Sequence, residues 1–273
     1  MQFNRVYGVD FSGGQNAHRH IWIATCEPHG ERLQVTCCVP AGELGNIRGL
    51  APALEAVRHL VASEPGSLFG MDFPFSIPEK ILGDSTWKSF AVSLPERFAG
   101  PVEFCRKLHA LAAGEEPKRA CDREARTPFS AINLRIFRQT FQGIGAILGP
   151  LVRDDLACVL PMQSLTPGRA AIIEVCPASS LRCIGIRSEG YKGRTAANMA
   201  KREEILHRLT SQHGVDDLDP SLKQRVLGDK GGDALDAIIA ATAAHAAWRQ
   251  GDLVKTAGTS TEQLEGRVYY RLN

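Results

Sequence analysis

The sequence holds eight cysteines but no C-x-x-C pair. Cys26, Cys37, Cys38, Cys105, Cys121, Cys158, Cys176 and Cys183 therefore lack the spacing of a structural zinc site, and the histidines supply no finger-like complement. They read as reduced, mostly buried thiols. Long apolar runs are missing too, since charged or turn residues interrupt each one short of the roughly 18 to 20 residues a membrane span needs. The opening Met1-Gln2-Phe3-Asn4-Arg5 has neither the apolar run nor the cleavage site of a secretory signal, so a soluble, cytoplasmic protein is expected. Net charge is nearly absent: 32 basic and 30 acidic residues leave +2. A nucleic-acid or anionic-membrane partner would have to be met by a local patch. There is no internal repeat, low-complexity tract, P-loop pattern or dinucleotide fingerprint.

What is there is ordinary globular material: 273 residues, 44% hydrophobic and 23% charged, enough for one large core. Turn-bounded β-like runs at 2–11, 20–27 and 33–39 predict hairpin-connected antiparallel strands. The stretch Ser12-Gly13-Gly14 reads as a tight hairpin turn in preference to a phosphate-binding loop. A helical period over 50–62 is followed by an apolar strand at 67–73, closed by Pro74 and Pro78. Residues 77–168 are mixed and largely helical and read as an insertion or cap. A strand at 170–177 and helices at 198–213 and 232–248 follow, with a candidate edge strand at 266–272. The expected fold class is α/β: one domain over 1–273, with a mixed sheet, helices on both faces and the 77–168 insertion.

The acids carry the chemistry. Asp10, Asp72 and Glu174 each stand at or near the carboxyl end of an apolar strand, where open α/β sheets place ligand crevices. Converging carboxylates repel and raise one another's pKa unless a cation joins them. Asp233 and Asp236 share a helix face at i, i+3, which leaves Leu235, Ile238 and Ile239 free to face the sheet. Taken alone, Asp233 reads as a helix cap and Asp236 as a surface acid that favours the helix dipole. With the strand-end acids they form a hard-oxygen donor set that suits Mg2+ or Mn2+ better than zinc. Two such ions about 4 Å apart would activate water for phosphodiester hydrolysis.

Four ordered motifs, Gly8-Val9-Asp10-Phe11-Ser12-Gly13, Gly70-Met71-Asp72-Phe73-Pro74, Ile173-Glu174-Val175-Cys176-Pro177 and Gly232-Asp233-Ala234-Leu235-Asp236-Ala237, resemble those of the DUF429 family of predicted nucleases. That family is placed in the ribonuclease-H-like superfamily, with resolvases of the RuvC type. The resemblance implies a sheet of strand order 3-2-1-4-5 and a two-metal site. Asp10 would bridge the ions, Asp72 would be the fourth-strand acid, and Asp233 with Asp236 would be the pair on the last helix. Glu174 matches the family's E-V-x-P glutamate. The products would carry 5'-phosphates.

The expected function is a metal-dependent nuclease acting on DNA or RNA, with Asp10, Asp72, Glu174, Asp233 and Asp236 as ligands. Ser12, Lys118, Arg119, Arg123 and Arg126 are candidate substrate contacts, the basic ones through phosphates. The competing reading of 118–126 is a solvated helix face balanced by Asp122 and Glu124. Arg135 and Arg138, and Arg182, Arg187, Lys192 and Arg194, are further basic groups. His18, His20 and His245 lie outside the acidic motifs and read as packed or solvated. Two other functions compete: a nucleotide-dependent phosphotransferase or phosphohydrolase of related topology, and a non-catalytic nucleic-acid- or protein-binding module. Oligomeric state is not legible.

Overall fold

The computed structural model describes residues 2–253 and 259–272. The chain begins with β1 (Val6–Asp10), α1 (Ala17–His20), β2 (Trp22–His29) and β3 (Arg32–Pro40), then a 3-10 turn, α2 (Leu50–Ser63) and β4 (Leu68–Asp72). Six helices follow: α3 (Glu79–Leu82), α4 (Trp87–Arg97), α5 (Pro101–Leu111), α6 (Ala120–Glu124), α7 (Phe137–Gln142) and α8 (Gly149–Arg153), the last two joined by a π-helical turn. Next come β5 (Ala157–Leu160), β6 (Ala170–Val175), α9 (Pro177–Cys183), α10 (Ala196–Gln212), α11 (Pro220–Gly228), α12 (Asp233–Arg249), α13 (Ser260–Glu265) and β7 (Val268–Tyr269).

These strands form one mixed sheet of order β3-β2-β1-β4-β6-β5, with β7 also paired to β6. The pairs β1–β2 and β2–β3 are antiparallel, and β4, β6, β5 and β7 extend the sheet in parallel from β1. The central strands β1, β4 and β6 are buried on both faces, as their near-continuous apolar sequences require. The expected order 3-2-1-4-5 needs correction in detail. The place beside β4 belongs to the sixth strand, because β5, inside the stretch read as helical, adds a further edge strand. The tight turn expected at Ser12-Gly13-Gly14 is also absent: residues 11–21 join β1 to β2 through α1.

Two cores lie on opposite faces of the sheet. Tyr7, Val9, Phe69, Met71 and Ile172 pack with α2, α4, α8 and the π-helical turn. Val6, Leu68, Ala171 and Ile173 pack with α10, α11 and α12.

α12 is buried on every side from Ala234 to Ala247, and it meets the sheet through alanines. A Cβ on Gly8 would collide with the Ala237 carbonyl and the Ala241 amide, and one on Gly70 would stand 2.7 Å from the Ala240 carbonyl. The expectation that Leu235, Ile238 and Ile239 face the sheet is therefore reversed: two glycines let helix and strand backbones touch, and only alanine fits between them. The stripe Ala237, Ala240, Ala241 and Ala244 continues toward the helix N-terminus into Asp233 and Asp236. Close packing thus aims both acids at the carboxyl ends of β1 and β4.

Candidate functional site

Side chains alternate along a strand, so register decides which strand-end acids meet. Asp10 pairs in register with Asp72 on the adjacent parallel strand. Both follow a glycine by two residues, Gly8 and Gly70, and both point to the α12 face. Glu174 pairs in register with Met71, one step out of phase, and so points to the other face. Asp10 and Asp72 therefore meet α12, while Glu174 reaches the same cleft from the other face of the sheet.

Asp10 retains only 8% of its surface, and Asp236 3%. Among the described residues no hydrogen bond reaches the carboxylate of Asp10 or Asp72. Asp236 is well partnered: Tyr191 Oη donates to Oδ1 at 2.7 Å and lies 3.1 Å from Oδ2, while Lys192 Nζ lies 2.7 Å from Oδ2. Lys192 Nζ is also 4.0 Å from Asp233 Oδ1, and His20 Nδ1 is 3.1 Å from Asp233 Oδ2. The helix cap at this end is Gly232, and the loop residue Asp229 accepts from the Gly231 and Ala234 amides. The readings of Asp233 as a cap and Asp236 as a surface acid therefore both fail.

Burial pushes the Asp10 carboxyl well above the usual range, reinforced by the Asp236 charge and partly offset by Lys192. Asp72 is pushed up to about 8, by desolvation first and then by Asp236, with Lys192 opposing. Desolvation also raises Asp233, against His20 and Lys192. Lys192 loses solvation, but Asp236 and Asp10 more than compensate and hold it above its ordinary value as an ammonium. Burial and Asp236 raise the Tyr191 phenol, which keeps it a hydrogen-bond donor. This is an excess of negative charge with one fixed lysine inside it.

Glu174 belongs to a neighbouring buried network. Arg119, fully buried on the N-terminal side of α6, donates through Nη1 at 2.8 Å and Nη2 at 2.5 Å to its two carboxylate oxygens. The same guanidinium holds Asp122 through Nε at 3.0 Å and Nη2 at 2.8 Å, and donates through Nη1 to the Glu265 carbonyl at 3.0 Å. The Phe75 amide also donates to Glu174 Oε2 at 2.9 Å. Arg119 and Asp122 are thus core groups, not members of a solvated helix face.

The acids open into a cleft of about 680 Å3 that also reaches Ser12, His20, Arg119, Phe129, Arg135, Arg182, Tyr191 and Lys192. Of the candidate substrate contacts, Ser12 and Arg119 are brought to this cleft. Lys118 and Arg123 line a separate surface hollow, and exposed Arg126 gives its carbonyl to Arg182. Arg135, stacked 5.4 Å over the Phe129 ring, has no carboxylate partner among the described residues. His20, read from the sequence as packed or solvated, stands at the cleft on Asp233, while Tyr191 and the pairing of Lys192 with the acids have no signal in the sequence, because neither lies in an acidic motif.

No group of three or more His, Cys, Asp or Glu among the described residues forms a ready-made metal site. The donors present fit a different kind of site. Mg2+ commonly takes one or two carboxylates and completes its shell with water and substrate phosphate. Asp10 and Asp72, adjacent in register and without side-chain hydrogen bonds among the described residues, fit that requirement, whereas both oxygens of Asp236 and of Glu174 are already engaged.

Fold and site together define a mixed α/β protein with an acid-lined cleft at the carboxyl ends of its parallel strands. The chain belongs to the family described as "Protein of unknown function (DUF429)", which it matches over residues 8–261. No curated protein and no solved structure matches it.

Proposed function

We propose that the cleft hydrolyses phosphodiester bonds of DNA or RNA with the help of a divalent cation, Mg2+ or Mn2+, held by Asp10 and Asp72. One observation carries this reading: Asp10, nine-tenths buried, stands beside Asp72 with its charge unanswered by any hydrogen bond among the described residues. Burying such a pair is costly unless a cation or protons neutralise it. The sheet supports a ribonuclease-H-like assignment, since β3, β2 and β1 run antiparallel and β4 and β6 continue in parallel.

A bound divalent cation would supply activation of water and neutralisation of phosphate charge. The chain's own groups do the rest. Arg135 and Arg182 at the cleft wall hold phosphate oxygens, and the Phe129 ring offers a face to a base. His20, with Nδ1 turned to Asp233, has Nε2 left to take a proton from the attacking water. Water oxygen bonds to phosphorus, one ester P–O bond breaks, and the departing oxygen is protonated from solvent. Glu174 is a positioning group that fixes Arg119 and the Phe75 amide beside the cleft.

The test is hydrolysis of labelled single-stranded, duplex and branched DNA and RNA with Mg2+ or Mn2+. Asp10→Asn is expected to lower the rate at least 100-fold while leaving thermal unfolding cooperative. Equal rates in wild type and variant, or no turnover of any substrate by a protein that binds the cation, would overturn the hydrolase reading.

A further inference from the structure

Lys192 places its ammonium among the carboxylates of the cleft. Its ammonium lies 2.7 Å from Asp236 and 4.0 Å from Asp233, and it lines the same cleft as Asp10 and Asp72. Tyr191, one residue earlier, donates to the same Asp236, so neither oxygen of that carboxylate is free.

The backbone that carries this lysine is fastened from below. Buried Arg202 on α10 donates through Nη1 to the Tyr191 carbonyl at 2.6 Å and the Gly193 carbonyl at 3.1 Å, and through Nε to the Leu227 carbonyl at 2.8 Å. The Gly193 amide donates to the Lys230 carbonyl at 2.7 Å, and Asn198 Nδ2 to the Gly190 carbonyl at 2.7 Å. Gly193 has φ 137° and its Cβ position lies against Asn198, so the turn admits little but glycine. A lysine on a flexible loop would move aside for an incoming ion, but this one is anchored on both flanks.

We propose that Lys192 is a built-in second cation, so that the site takes one divalent ion, at Asp10 and Asp72, in place of two. This rests on the metal-dependent reading above and narrows it. The ammonium neutralises Asp236, lies at the edge of contact with Asp233, and from its half-exposed side chain meets a phosphate oxygen of the substrate in the cleft. An ion that needed Asp236 as a ligand would have to displace Lys192 from Oδ2 or crowd against the Tyr191 hydroxyl at Oδ1.

The experiment counts Mn2+ ions bound per chain in the full-length protein, by calorimetric titration and by loss of the free-ion electron paramagnetic resonance signal. Wild type is expected to bind one ion, Lys192→Met two, and Lys192→Arg, which keeps the charge, one. Thermal unfolding of each variant checks that it is folded before titration. Two ions on wild type, or one on folded Lys192→Met, would overturn the inference and leave the metal-dependent reading standing. No Mn2+ on any of the three proteins would remove that reading as well.

Discussion

Arg119 has no exposed surface, and Nε, Nη1 and Nη2 of its guanidinium all donate hydrogen bonds within the protein. Two buried carboxylates, Asp122 and Glu174, depend on it. Removing one member of such a group leaves charge without a partner, at a cost of about 3–5 kcal/mol. Arg119→Met is expected to lower the stability measured by urea denaturation by about that amount, and Arg119→Lys to lower it too, since an ammonium lacks the planar fork that serves both acids. A loss below about 1 kcal/mol for Arg119→Met would mean that Glu174 and Asp122 are neutral in the folded state. At this scale the sequence was partly legible. The acids announce themselves, but their partners do not, because Lys192, Tyr191 and His20 reach them through tertiary structure from segments with no acidic pattern. The spacing of glycine before an acid carries part of this information. Glycine precedes the acid by two residues in Gly8-Val9-Asp10 and Gly70-Met71-Asp72, whereas Ile172 stands there before Glu174, and that difference separates the two acids facing α12 from the one that does not.

At the scale of elements, α12 depends on the bare strand positions beneath it. Gly8→Ala places a methyl group against the Ala237 carbonyl and the Ala241 amide, two backbone atoms of a helix packed on all sides. Overpacking of this kind costs about 1–3 kcal/mol, and the helix can relieve it only by lifting off β1. Chemical denaturation is expected to show that loss. Cation affinity is expected to change less than stability, since Asp10 and Asp72 lie on the strands themselves. A Gly8→Ala protein as stable as wild type would show that helix and sheet are not in backbone contact. The strong β runs and the long helices were readable from period and turn residues, to within a few positions at their ends. β5 was not, because four apolar residues are too few to distinguish a strand from a buried turn of helix. The sheet-facing side of α12 was misread for a related reason. Hydrophobicity ranks leucine and isoleucine above alanine, but contact distance selected the smaller residue.

At the scale of the molecule, nearly balanced overall charge conceals a strong local imbalance, and pH is the means to expose it. Asp10 and Asp72 have folded-state values above their ordinary 3.8, Asp72 at about 8. An acid raised in this way binds more protons folded than unfolded between those two values, so its contribution to stability falls as pH rises through that window. In the presence of a chelator, the thermal midpoint of the wild type is expected to decline between pH 5 and about 8 relative to Asp72→Asn, which lacks the titrating group. Magnesium added at pH 8 should reverse the decline in wild type and have little effect on the variant, because a ligand that binds only the folded, ionised pair stabilises by mass action. The sign discriminates between accounts of the site. If the two acids were ordinary paired carboxylates, their folded values would be depressed, and wild type would gain stability relative to the variant as pH rises from the acid side. A wild-type midpoint that climbs or stays level against Asp72→Asn over this window would therefore show that the pair is already neutralised within the protein, and that no cation is needed to hold it.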